Sequence, residues 1–171
     1  MAEKEQFTPE EWYSILSAPA SAGTFVMASS PSGLTGLLAE TQSIVQGLKE
    51  LSAASSSGFL QEIAERLKPG AEQIPAQPRE TFKTVDEAKE RMLNKVRQAV
   101  FLVDSRVNAD DSKAFKAMVM SVAQRTAEAA LEGGFLGIGG TRVSKTEEEA
   151  LSILREYLEP SNTAPVSMTG L

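Results

Sequence analysis

The stretch whose residue types could do chemistry is glycine-rich: Gly133-Gly134-Phe135-Leu136-Gly137-Ile138-Gly139-Gly140-Thr141-Arg142-Val143, leading into a helix start at Ser144. A helix start presents unpaired backbone N–H groups, and glycine lets a phosphate or carboxylate come close to the backbone. Gly139, Gly140, Arg142 and Ser144 therefore form a candidate anion cradle, with Arg142 as the counter-charge. The spacing matches neither the dinucleotide fingerprint nor the P-loop, the run follows a helix instead of a strand, and no Gly-Lys-Ser/Thr occurs. A packing role is the simpler expectation, with glycine letting Phe135, Leu136 and Ile138 fold under the rest of the chain. A second cluster, Asp104, Asn108, Asp110 and Asp111, has the look of a calcium corner. Its spacing fails, because Arg106 falls at the third loop position and the central glycine and terminal glutamate are missing. Helix capping accounts for these residues better, and Glu147, Glu148 and Glu149 read as first-turn acids on a solvated face.

Composition narrows the chemistry further. The 171 residues include no cysteine and no histidine, which removes thiolate zinc sites, disulfides, cysteine nucleophiles, His bases, Ser-His-Asp triads and His-ligated metals. Carboxylates, Lys, Tyr and Ser remain, so the expectation is a protein that is not an enzyme and carries no cofactor. With 17 basic and 23 acidic residues the net charge is -6, which disfavours nucleic acid as a partner. The charged start Met1-Ala2-Glu3-Lys4-Glu5-Gln6 lacks a secretory pattern, so a cytoplasmic location is expected.

The element that must position everything else is the longest uncharged run. Between Glu11 and Glu40 there is no charged side chain, and Trp12, Ile15, Leu16, Phe25, Val26, Met27, Leu34, Leu37 and Leu38 carry too much apolar surface to leave in water. Pro19, Gly23, Pro31 and Gly33, together with eight Ser or Thr hydroxyls, argue against a transmembrane segment. A buried helical hairpin, turning at Ser29-Ser30-Pro31-Ser32-Gly33, is the reading that remains. Thr8-Pro9-Glu10-Glu11 starts its first helix as a capping box, with Phe7 and Trp12 as the staple, and Pro19 should kink or split that helix near Ala18.

Further helices follow from apolar spacing and start signals. Leu34, Leu37, Leu38, Ile44, Val45, Leu48 and Leu51 make one stripe, and a short helix from Gly58 buries Phe59, Leu60, Ile63, Ala64 and Leu67. A Pro-rich linker over residues 69–83 is expected to be mobile, with Ile74 and Phe82 as anchors. Thr84-Val85-Asp86-Glu87 opens a long helix whose stripe is Val85, Ala88, Met92, Val96, Ala99, Val100 and Val103. Asn108 caps the next, with Phe115, Met118, Val119, Val122, Thr126, Ala129 and Ala130 inward, and the short connection predicts that these two pair. Ser144-Lys145-Thr146-Glu147 opens the last, carrying Ala150, Leu151, Leu154, Tyr157 and Leu158, with a short extended piece at residues 140–143 before it.

The run Glu132-Gly133-Gly134-Phe135-Leu136-Gly137-Ile138-Gly139-Gly140-Thr141-Arg142-Val143-Ser144 with Glu147, the opening Phe7-Thr8-Pro9-Glu10-Glu11-Trp12 and the Ala28-Ser29-Ser30-Pro31-Ser32-Gly33 turn resemble those of small uncharacterised bacterial all-helical proteins. The resemblance implies an all-helical fold and brings no activity with it. Val103-Asp104-Ser105-Arg106-Val107-Asn108 and Gly140-Thr141-Arg142-Val143-Ser144 are also similar to turn-helix units of TerB-like tellurite-resistance proteins, whose Asp-Gly pair and metal-facing carboxylates are not matched here.

The expected architecture is an all-α bundle of five or six helices forming a single domain over residues 1–158, with a flexible tail at 159–171. The expected role is non-enzymatic contact with a protein partner or with a second copy as a homodimer, self-association running through the uncharged hairpin or the apolar glycine-rich loop. The alternative is a small anion or apolar ligand held at the glycine-rich loop 133–143.

Overall fold

A computed structural model describes residues 6–30, 48, 55–68, 80–132 and 143–159. Among the described residues the chain is all helical, with five helices and no strand: α1 (Pro9–Ala28), α2 (Gly58–Arg66), α3 (Val85–Arg106), α4 (Ala109–Glu132) and α5 (Lys145–Leu158). The expected stripe over residues 34–51 lies outside the described residues except for Leu48, which is helical and buried. Residues 69–79 of the linker, 140–142 of the extended piece and 160–171 of the tail fall outside them as well.

Each helix starts where a side chain can satisfy its first N–H groups. Thr8 Oγ1 accepts from Glu11 N while Glu11 Oε2 accepts from Thr8 N at 2.9 Å, closing a full capping box, and Phe7 packs edge-on against Trp12 as the staple. Ser57 caps α2, and Asn108 Oδ1 accepts from Asp111 N at the start of α4. At α3 the box is displaced by one residue: Thr84 Oγ1 accepts from Glu87 N, but the Glu87 carboxylate takes the Lys83 N–H instead of the Thr84 one. Ser144 and Glu147 form a full box at α5.

Helix α1 is the axis of the bundle. It packs chiefly against α3 and α4 and touches α5, and α3 and α4 meet it far more extensively than they meet each other. The short connection between α3 and α4 therefore does not make them a closely packed pair, because α1 occupies the space between them. A helix with neighbours on several sides has little need of a polar face, which is why its sequence carries no charge after Glu11. Trp12, Ile15, Leu16, Ala18, Pro19, Ala22, Gly23, Phe25, Val26, Met27 and Ala28 are all buried. Its hydroxyls are satisfied within the helix: Ser14, Ser17, Ser21, Thr24 and Ser29 donate to the carbonyls of Glu10, Ser14, Ser17, Ala20 and Phe25 at 2.9–3.2 Å. Pro19 leaves the Ile15 carbonyl without its helical donor, yet α1 runs unbroken past it, so of the expected kink or split near Ala18 the split does not occur.

Residues from all five helices, with Leu48, join one core. Two expectations fail at helix starts. Val85 is 49% exposed, because the first turn of α3 projects past the core that its stripe serves from Ala88 onward. Glu147 is only 3% exposed instead of solvated, because its carboxylate folds back onto its own helix start.

Candidate functional site

Of the candidate cradle, Gly139, Gly140 and Arg142 lie outside the described residues. Ser144 is described, and both of its donors are committed. Its N–H and its hydroxyl each donate to Glu147 Oε2 at 2.9 Å, so a carboxylate of the chain itself sits at the amino end of α5. Val143, just before it, packs against the core.

The acidic corner works as a joint between helices. Asp111 accepts from Asn108 Nδ2 at 2.7 Å and from the hydroxyl of Ser57, the cap of α2, at 2.5 Å, tying the starts of α2 and α4 together. Asp104 accepts from Ser112 Oγ and pairs with Lys116 Nζ at 2.7 Å, and Asp110 sits exposed in the first turn of α4. Among the described residues no group of three or more carboxylates is arranged to hold a metal ion.

Beside this joint the start of α1 meets the end of α3. Arg106 donates to Glu11 Oε1 and Oε2 at 2.7 and 2.5 Å and to the Gln6 carbonyl at 2.8 Å, and it lies over the Phe7 ring. The guanidinium, helped by the Thr8 N–H, holds the Glu11 carboxyl below the ordinary glutamate range. Beneath it, Trp12 stacks on Phe59 at 5.8 Å, Phe59 meets Phe115 edge-on at 6.0 Å, and Arg66, bonded to Glu62, covers the Trp12 ring at 4.0 Å. Among the described residues the buried indole Nε1 of Trp12 has no acceptor. Charges at this pole are matched internally, so it reads as a clasp that sets the starts of α1, α2 and α4 and the end of α3.

The outer face of α3 differs from that pole. Phe101 is 71% exposed, pointing away from the buried Val96, Ala99 and Val103. One turn earlier Arg97 stacks on Tyr157 of α5 at 4.5 Å, and one turn before Tyr157 on α5 lies Ile153, 38% exposed. Two of the three large exposed apolar side chains among the described residues thus flank a single Arg–Tyr contact that bridges two helices. Arg97 makes no ion pair among the described residues, only a long 3.5 Å contact with Asn94 Oδ1.

Neither a family model, nor a curated protein, nor a solved structure matches the chain.

No motif in the sequence marks this face. Its signal is angular: a Phe half a turn away from the stripe of its own helix has no core to enter, and Tyr157 stands at the edge of the α5 stripe. The pairing of α3 with α5 that unites them is not visible in either helix alone.

Proposed function

We propose that the protein acts by contact with a protein surface and performs no covalent chemistry, and that the outer face of α3 and α5 is the contact. The observation that carries this reading is Phe101, an aromatic ring left in water one turn from the Arg97–Tyr157 stack. Exposed aromatic side chains beside an arginine are the composition of interface centres, which are enriched in Tyr, Trp, Phe and Arg. Elsewhere, the candidate chemistry-bearing groups among the described residues are spent on caps and clasps: Asp104, Asp111, Glu11, Glu147 and Ser144 all hold helix ends. In addition, no helix among the described residues is long and apolar enough to cross a membrane.

A photo-reactive phenylalanine analogue placed at position 101 tests the reading, with the same analogue at exposed Gln124 of α4 as control. Irradiation in living cells is expected to give one or a few discrete protein adducts from position 101 and none from 124. No adduct at 101, or the same smear from both positions, contradicts it.

A further inference from the structure

Deepening that reading, and resting on it, we infer that the occupant of the α3–α5 face is a second copy of this chain, related by a two-fold axis. The inference comes from the order of groups across the face. On α3 stand Phe101 and Arg97, and Arg97 reaches over to Tyr157. On α5, helical spacing puts Tyr157 on the α3 side of Ile153 and puts Glu149 and Glu156 on the other side. Both glutamates are exposed, and neither makes an ion pair among the described residues. Across the face the sequence of groups is therefore cation and aromatic ring, then apolar centre, then carboxylates.

A surface ordered in this way is complementary to itself under a two-fold rotation. Turned over and laid on a copy, Ile153 and Tyr157 meet at the middle. Arg97 and Phe101 come together over α5 of the second copy, Arg97 to its Glu149 and Glu156 and Phe101 against the same outer side of that helix, and the same contacts repeat by symmetry. The arginine and the glutamates, none of which has an ion pair among the described residues, thereby satisfy each other, and the exposed ring leaves water. Because the patch is small, the dimer is a weak and reversible one.

Sedimentation or light scattering of the full chain from about 10 µM to about 1 mM reads this out. A monomer–dimer equilibrium is expected, and Phe101→Ser should raise its dissociation constant by about tenfold or more with the thermal midpoint preserved. Arg97→Glu alone, and Glu149→Lys with Glu156→Lys alone, should each be monomeric. An equimolar mixture of those two variants should recover wild-type association, because both symmetry-related contacts then join opposite charges. A wild type that stays monomeric throughout overturns the second copy, as does association indifferent to these changes or a mixture that fails to recover. If the cross-link at position 101 then joins a different protein, the contact reading survives; if it joins nothing, that reading falls too.

Discussion

At Glu11 one carboxylate serves two elements, closing the capping box of α1 and receiving both arms of Arg106 from the end of α3. Its pKa lies below that of the unfolded chain, so its share of the stability is fully present above the ordinary glutamate pKa. That share is lost as pH falls through the lower folded value. Urea unfolding at a series of pH values should show a midpoint that declines below roughly pH 4, and Glu11→Gln should flatten part of that decline while lowering the neutral-pH midpoint. Trp12 makes a different case. Its buried N–H has no acceptor among the described residues, a cost of about 1–3 kcal/mol for an orphaned polar group. Trp12→Phe removes the orphan and keeps an aromatic ring against Phe7 and Phe59, so it should stay within about 1.5 kcal/mol of wild type, whereas Trp12→Ala should cost about 3–5 kcal/mol. Chemical denaturation of the two variants measures the difference.

Among the elements, α1 depends on small side chains where its neighbours come close. Ala18 and Ala22 are fully buried between helices, while Ala20 is only half-buried. Ala22→Leu should therefore destabilise by about 1–3 kcal/mol or more through overpacking, and Ala20→Leu by clearly less; thermal melts of the pair check the ordering. The joint at Asp111 bonds to two helix caps at once, so Asp111→Ala should cost about 1–2 kcal/mol, toward the upper end of a single lost cap. At this scale much was legible in the sequence. Thr8, Ser57, Asn108 and Ser144 announce helix starts because capping is a local interaction, readable within four residues. Burial was less legible at the ends: Val85 and Glu147 follow the stripe and the charge rule respectively, yet one projects beyond the core and the other turns inward to its own cap. Neighbour choice was least legible. The Ser57–Asp111, Glu11–Arg106 and Arg97–Tyr157 contacts join residues 54 to 95 positions apart, or lie on helices whose relative placement no local pattern records. Of the candidate cradle, Ser144 was found as a helix cap, and its hydroxyl is already used by Glu147.

For the whole molecule, the missing charge in α1 and the amphipathic stripes of α2 to α5 are two aspects of one arrangement. A single helix that is apolar nearly all round must be enclosed, and the helices that enclose it need only one apolar face each. Their other faces need not be apolar, and Phe101 stands exposed on that side of α3, without a place in the core. Enclosure also orders the local stabilities, since backbone hydrogen bonds at the axis are exposed only by global unfolding. Native-state hydrogen exchange measures that order directly. If α1 is the enclosed axis, the amides from Ile15 to Ala28, Pro19 apart, exchange at the slow limit set by global unfolding, more slowly than those of the peripheral α2. Exchange of the α1 amides by local opening, as fast as or faster than in α2, would contradict the enclosure on which the fold and the proposed contact face both rest.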